Sequence, residues 1–296
     1  MGMSKCRESA EYLKRTFKAF IPWRLRYFIK LQEAKGNVHL SESVKQFRNI
    51  EQYNNELYEA IDTLEIHDFK KKNVCELGPG QHLSHAFLEY QMGAKKEQLL
   101  EIADFAHVDS PAVLENVKLH KNYKVFQPMP KCSDGETWRS YLTKINAEYS
   151  INGLDGYKRV PDDSVDYCFS FVVLEHIRKN IFMDTIKEMH RFMRSGGVGY
   201  HSVDFTDHMG GGKNQLRFTE SVWEDEDHYK MDNYTNRIQC SEMCRMLKEV
   251  GFKDVKVKRT RVFKALPIKR KDITPDLGEI SDEDLRTAMA VLFFHK

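Results

Sequence analysis

Two acidic residues and two glycines stand at the spacing of a nucleotide-binding turn. Glu76 closes an apolar run and is followed by Gly78 and Gly80, a pattern in which a buried strand leads into a turn whose backbone can approach a ligand. About 20 residues beyond the turn stands Glu101, where a carboxylate can accept both hydroxyls of a ribose. A dinucleotide-binding GxGxxG would need glycine where Leu83 stands, and the P-loop sequence GK[ST] does not occur. The pattern therefore predicts a nucleoside ligand and disfavours an NAD-dependent reductase or epimerase.

The ribose-binding role of Glu101 has alternatives. The run 98–102 is apolar around this one acid, and a buried strand rarely ends in a carboxylate that has no partner. Asp104 and Asp109 compete for the same role, with Asp109 farther along the chain, and helix capping is the competing role for Glu101 itself.

A second functional segment reads VPDDSVDYCFSFVVLEH and covers residues 160–176. A turn leads into a central apolar strand, and the carboxyl end of that strand brings residues 170–176 to the crevice outside the sheet. We therefore expect Ser170, Val172 and Glu175 at the ligand, and His176 beside it.

These segments resemble a known family. The E-x-G-x-G turn is similar to motif I of class I methyltransferases that use S-adenosylmethionine (SAM), and 160–176 resembles the "LP..D.SFD.V.S...LEH" signature of ubiquinone-biosynthesis-type methyltransferases. The run Arg194-Ser195-Gly196-Gly197 is similar to that family's "L.PGG" turn, with Ser195 in place of proline. The resemblance covers about 73–203, with the motifs in the expected order.

The resemblance implies SAM as the cofactor. Motif I would lie against the methionine and ribose part, and 152–154 would contact the adenine, although the usual "GDA" is missing there. The expected cofactor-binding residues are Glu76, Leu77, Gly78, Pro79, Gly80, Glu101, Asn152, Gly153, Leu154, Ser170, Val172 and Glu175.

The end of a later strand, 198–203, is unusually polar. In a doubly wound fold this end faces the cofactor crevice, so nearby histidines and carboxylates could orient or deprotonate an acceptor hydroxyl. The expected catalytic residues are His176, His201, Asp204, Asp207 and His208. For the last four, the alternative is that they cap the strand and form hydrogen bonds with the glycine run 210–212. Their spacing matches no specific metal signature, so no metal site is expected.

The stretches "SH.VD..DH.GGG...LRF" and "YTNR" are similar to methyltransferase-domain proteins encoded with bacterial surface-polysaccharide genes. This likeness implies a saccharide hydroxyl as acceptor, on a glycan precursor, and a role in polysaccharide biosynthesis. Arg217 and Arg237 would then bind a phosphate or carboxylate of the substrate through their planar guanidinium groups. Surface salt bridges are the alternative for both.

The elements that must position these residues alternate between strands and helices from residue 73 onward. Apolar runs predict strands at 73–77, 98–102, 148–152, 165–171, 198–203, 255–263 and 288–294, and helices at 136–147 and 241–250. The predicted fold is α/β, Rossmann-like and mainly parallel, with seven strands and an antiparallel last strand. We expect a helical extension at 1–70 and a methyltransferase domain at 71–296, with insertions near 120–147 and 205–238.

Composition limits the partners. The net charge of +2 is spread along the chain, which argues against a dedicated nucleic-acid binder. Six scattered cysteines form no CxxC pair, and no run suits a membrane span or signal peptide, so the expected location is the cytoplasm. Segment 17–31 mixes aromatic residues and cations; packing on the catalytic domain is favoured over contact with the inner membrane face. The sequence does not define an oligomeric state.

Three functions remain open at this stage. The favoured one is methyl transfer from SAM to an oxygen of a saccharide or other small acceptor. The second is an O- or C-methyltransferase acting on a quinone-like or aromatic acceptor. The third is a non-catalytic SAM-binding module, which would more often lack the motif I glycines or Glu101.

Overall fold

A seven-stranded mixed sheet organises the described residues, which in this computed structural model are 50–106, 114, 116–230 and 234–296. The strands are β1 (Asn73–Leu77), β2 (Lys96–Leu100), β3 (Ala147–Ser150), β4 (Val165–Phe171), β5 (Met193–Asp204), β6 (Lys253–Val262) and β7 (Thr287–His295). Their order is β3-β2-β1-β4-β5-β7-β6, and β7 is antiparallel to both of its neighbours. This is the strand order of the class I methyltransferase fold, so the predicted fold class is confirmed.

Helices connect the strands. They are α1 (Ile50–Thr63), α2 (Ser84–Gln91), α3 (Trp138–Lys144), α4 (Leu154–Tyr157), α5 (Lys179–Phe192), α6 (Glu220–Trp223), α7 (Glu226–Tyr229), α8 (Cys240–Val250) and α9 (Asp282–Arg286). Short 3₁₀ turns lie at Leu174–His176, Asn214–Arg217, Arg270–Asp272 and Pro275–Leu277. Helix α5 buries Phe182, Ile186 and Met189, which share one face at helical spacing.

The sheet separates two hydrophobic cores. Because successive side chains of a strand point to opposite faces, Cys168 of β4 packs in one core, whereas Phe169 and Phe171 pack in the other. Both faces are thus covered, which explains why β4 reads as a nearly continuous apolar run.

The strand order reverses between β1 and β4. The chain first builds outward from β1 through β2 to β3 and then returns to β4 on the other side of β1. This reversal opens a crevice at the carboxyl ends of the strands, where doubly wound folds bind their ligands.

Element boundaries differ from the predictions in ways that packing explains. The predicted strand 165–171 is confirmed, but β2 covers Lys96–Leu100 and leaves Glu101 just beyond its end. Strand β5 is longer than predicted at both ends, where Met193 pairs with Val165 of β4 and Asp204 pairs with Met289 of β7. The expectations for 1–49, including segment 17–31, and for Asp109 lie outside the described residues. Within the described part of the chain, no helix is long and apolar enough to cross a membrane.

Candidate functional site

A cleft of about 310 Å³ opens at the carboxyl ends of β1, β2 and β4. One wall is formed by residues from the turns after β1, β2 and β3: Gly78, Gly80, Glu101, Ile102, Phe105, Gly153 and Leu154. The second wall comes from the segment after β4, from α5 and α7 and from the loop before α8: Val172, Val173, His176, Ile177, Arg178, Ile181, Tyr229 and Tyr234. The cleft therefore joins the predicted cofactor turn to one of the predicted histidines.

The two motif I glycines have different reasons to be glycine. Both adopt left-handed backbone conformations, with φ of 63° at Gly78 and 64° at Gly80. A Cβ at Gly78 would lie 2.5 Å from Cγ2 of Val173, so this position is closed by packing. A Cβ at Gly80 would meet no atom of the described residues within 4 Å. Gly80 therefore leaves open space over the turn, where a ligand can approach the backbone.

Glu101 is the first residue after the carboxyl end of β2; it is buried and lines the cleft. The backbone N–H of Ile102 donates to its Oε1 at 2.9 Å, and that of Gly80 approaches its Oε2 at 3.4 Å. Burial raises the pKa of Glu101 to about 7, and the two backbone donors offset part of this effect. Asp104, its competitor, is half exposed and pairs with Arg139 at 2.6 Å.

Glu76 lies behind the turn and does not line the cleft. Its Oε1 is 2.7 Å from Nδ1 of His85 and 2.9 Å from the hydroxyl of Tyr53. The same hydroxyl lies 2.6 Å from the carbonyl oxygen of Pro79, and the Tyr53 and His85 rings are stacked at 3.7 Å. Glu76 therefore ties α1 and α2 to the turn, and Leu77 is buried in the core beneath it.

The remaining expected cofactor residues divide between cleft and core. Gly153 donates its N–H to the carbonyl of Glu101 at 3.0 Å, which fixes the turn that presents Leu154. Asn152 is exposed and is not part of the cleft lining. Ser170 is fully buried, whereas Val172 lines the cleft with φ of 60°, a strained value for a β-branched residue.

Four polar side chains meet beside the second wall of the cleft: Glu175, His176, Asp204 and His208. The His176 and His208 rings are 5.0 Å apart, and Nε2 of His208 lies 3.7 Å from Oδ2 of Asp204. The Asp204 N–H donates to Oε1 of Glu175 at 3.0 Å. Of the four, His176 lines the cleft directly.

Charge coupling within this group moves the pKa values of its members. Burial raises the pKa of Glu175 to about 7, against the opposing effect of His208. Burial also raises the pKa of Asp204, but the neighbouring His208 imidazole and hydrogen bonding from Thr206 outweigh it and bring the pKa to about 2. Burial lowers the pKa of His208, yet Asp204 and Glu175 more than offset this, so it is raised overall.

Asp207 and His201 lie elsewhere. The carboxylate of Asp207 accepts N–H groups of Met209, Gly210 and Gly211 at 2.9–3.0 Å, as the capping alternative described. His201 is fully buried; its Nδ1 lies 2.7 Å from the Ser170 hydroxyl and its ring stacks on Phe294. Neither residue lines the cleft.

The two predicted substrate-binding arginines are engaged in internal pairs outside the cleft lining. Arg217 pairs with Asp272 at 2.9 Å, and Arg237 donates to the carbonyl of Phe218 at 2.6 Å and pairs with Glu220. The Arg217 pair matches the surface salt-bridge alternative, whereas the Arg237 side chain is buried.

The sequence analysis missed the role of two neighbours of Arg237. The carbonyl oxygen of Tyr234 lies 2.9 Å from Nδ1 of His176. The side-chain amide of Asn236 donates to the carbonyls of Leu174 and Ile177 at 2.7 and 2.9 Å, which clamps the turn that carries His176. The "YTNR" stretch was the available signal, but the sequence analysis assigned a function only to its arginine, Arg237.

No family model matches the chain, and no curated protein matches it. Among solved structures, it is similar to a complex of the Haloferax volcanii Trm112 methyltransferase activator with a methyltransferase (13% identity, 86% of this chain, 96% of that chain, TM-score 0.48). It is also similar to a SAM-dependent methyltransferase from Archaeoglobus fulgidus (12%, 81% and 94%, 0.45). A third is Haemonchus contortus phosphoethanolamine N-methyltransferase 2 with SAM (14%, 82% and 52%, 0.49). At this level of identity the likeness concerns the fold and does not transfer an activity.

Proposed function

We propose that the chain is an enzyme that transfers the methyl group of SAM to an oxygen of a small acceptor, a saccharide or glycan-precursor hydroxyl. The observation that carries this proposal is that Glu101 and His176 line the same cleft. The wall that includes Glu101, which we call the cofactor wall, suits a nucleoside. The wall that includes His176, which we call the acceptor wall, offers groups that can activate a hydroxyl.

The cofactor wall combines open backbone with one carboxylate. SAM would place its methionine and ribose part over Gly80 and its ribose hydroxyls on Glu101, while the turn at Gly153 and Leu154 borders the adenine. A ribose diol donates two hydrogen bonds to an ionised carboxylate, and such charge-assisted bonds are among the stronger ones in proteins. Hydrogen bonds from the ribose would offset the free-energy cost of burying the Glu101 carboxylate.

On the acceptor wall, His176 lines the cleft, with the His208 imidazole and the Glu175 and Asp204 carboxylates grouped around it. In methyl transfer, the acceptor O–H bond breaks, an O–CH₃ bond forms and the CH₃–S bond breaks, which leaves neutral S-adenosylhomocysteine and one released proton. The cleft contributes by aligning oxygen, methyl carbon and sulfur, and the group around His176 contributes by favouring the ionised acceptor oxygen.

An aromatic or quinone-like acceptor is the second candidate, because a specific feature favours it. Besides His176, the residues that line the cleft include Phe105, Ile181, Tyr229 and Tyr234, whose rings and alkyl groups suit a flat apolar molecule. A phenolic hydroxyl is also more acidic than a sugar hydroxyl and needs less activation.

Methyl transfer can be measured with SAM labelled in its methyl group. The purified protein is incubated with labelled SAM and with separate panels of saccharides and phenols, and products are identified by mass spectrometry. We expect a labelled O-methyl product with a saccharide, formed roughly 100-fold more slowly by His176→Ala protein. A product with phenols alone selects the second candidate. SAM binding without label transfer to any acceptor contradicts the enzymatic function and leaves a SAM-binding module.

A further inference from the structure

Three side chains with metal-ligating atoms lie together at the acceptor wall. Glu175, His176 and His208 each offer one ligand atom, and these atoms all lie within 4.8 Å of one another. The sequence pattern predicted no metal because the three residues come from two distant segments, the turn after β4 and the loop after β5. Two imidazoles and one carboxylate form a ligand set typical of catalytic zinc sites.

The ring of His176 is oriented as a metal ligand would be. Its Nδ1 lies 2.9 Å from the carbonyl oxygen of Tyr234, and a carbonyl oxygen only accepts hydrogen bonds. In the neutral ring the proton is therefore on Nδ1, and Nε2 carries the lone pair. Donation of the second ring N–H to a backbone carbonyl is a common feature of metal-bound histidine.

Glu175 supplies an independent sign of a ligand. The side chain is 2% exposed, and its Oε1 accepts the Asp204 N–H at 3.0 Å. Its Oε2 is buried and has no hydrogen-bond partner within the described part of the chain. A buried carboxylate oxygen without a partner is costly, and a cation beside it would remove that cost.

His208 is held in place by the loop around it. The residue has φ of 49°, in the left-handed region, and the neighbouring Asp207 fixes the turn by accepting three backbone N–H groups. Behind the ring, Asp204 Oδ2 lies 3.7 Å from Nε2. A carboxylate beside an imidazole is the usual second contact of a ligating histidine.

We propose that Glu175, His176 and His208 bind a divalent transition-metal ion of the zinc class. Bonds of about 2.1 Å in a tetrahedral set place ligand atoms roughly 3.4 Å apart, so small side-chain rotations would close the group around the ion. Three protein ligands leave a position open, and His176 borders the cleft on that side.

The role of the ion rests on the proposed function. The open position would take the acceptor hydroxyl, whose O–H bond breaks more easily when its oxygen lies on a dication. The proton leaves to solvent through the cleft, the oxygen forms its bond to the methyl carbon, and the CH₃–S bond breaks. The ion undergoes no redox change, so no oxidant or reductant is needed.

Metal binding is tested directly on the full chain after removal of bound metal with a chelator. Zn²⁺ and Co²⁺ are titrated calorimetrically, and the visible spectrum of the Co²⁺ form separates nitrogen and oxygen ligands from cysteine thiolates. We expect one ion per chain, bound at least about 100-fold more weakly by Glu175→Gln and His208→Ala proteins. Glu175→Gln keeps the shape and the acceptor for the Asp204 N–H, and circular dichroism checks folding.

His190→Ala is the matched control, since His190 packs on Phe252 away from the cleft, and it should bind the ion as the parent does. No stoichiometric binding by the parent, a thiolate spectrum, or equal affinity in all variants would overturn the site. SAM titration of the same samples separates the two proposals. Ion binding without SAM binding supports the metal site and contradicts the proposed function. SAM binding without ion binding contradicts the metal site and leaves the proposed function to the transfer assay.

Discussion

The two walls of the cleft are built in different ways. The cofactor wall uses backbone at Gly80 and Gly153 and a single ionisable side chain, Glu101, all on turns that directly follow strands of the sheet. The acceptor wall uses side chains, and His176, His208 and the groups that contact them come from three remote segments: 174–176, 204–208 and 234–236.

This difference predicts which property each wall controls. A wall of backbone groups and one carboxylate recognises a constant cofactor, because the fold itself fixes the geometry. A wall of converging imidazoles and carboxylates can activate a reacting group, and its side chains can differ between proteins that use different acceptors. Substitutions on the first wall should therefore change SAM affinity, and substitutions on the second should change turnover.

The largest expected effect is on the acceptor wall. His176→Ala and His208→Ala should each lower turnover by roughly 100-fold or more, because either loses a group that favours the ionised acceptor oxygen. SAM affinity should stay within a few-fold of the parent. Single-turnover kinetics and SAM titration measure the two quantities, with His190→Ala as the control. Normal turnover in both variants would mean that proximity alone carries the reaction.

On the cofactor wall, Glu101→Ala should weaken SAM binding by about 2 kcal/mol, or about 30-fold, since both ribose hydroxyls lose a charged acceptor. Asp104→Ala should change the affinity far less, because Asp104 is occupied by Arg139 at the surface. Calorimetric titration of SAM ranks the two variants. A larger loss in Asp104→Ala would transfer the ribose role to that residue.

A smaller effect should appear in the pH dependence of SAM binding. The pKa of Glu101 is raised to about 7 in the free protein, and the ribose hydroxyls bind its ionised form. Affinity should therefore be nearly full at pH 8, about half of that at pH 7 and about tenfold lower at pH 6. Glu101→Gln removes the titrating group, so its weaker binding should lack this component. An identical pH profile in parent and variant would contradict the assignment.

The sheet and the cofactor wall could be predicted from the sequence because their signals are local. A strand, a glycine turn and a following acid lie within a short stretch. Strand β2 ends at Leu100, so Glu101 is the first residue after the strand and not its last but one, as predicted. Gly78 is an exception: its need for glycine comes from Val173, a contact that spacing along the chain does not reveal.

The acceptor wall could be predicted only in part, because its geometry depends on tertiary contacts. His176 and His208 were identified by residue type, yet their approach depends on the clamp by Asn236 and on the turn held by Asp207. His201 is also a histidine near the carboxyl end of β5. Because side chains alternate along the strand, it points into the core, where it stacks on Phe294.

The most direct test of the account is a SAM titration of the parent and of Gly80→Val. A side chain at Gly80 projects into open space above the turn, where the methionine part of SAM would lie, so we expect one SAM per parent chain and no measurable binding by the variant. Gly278→Val is the matched control, because Gly278 has φ of 63°, is equally open and does not line the cleft. This control should bind SAM as the parent does. No SAM binding by the parent, or equal affinity in a folded Gly80→Val protein, would contradict the placement of the cofactor.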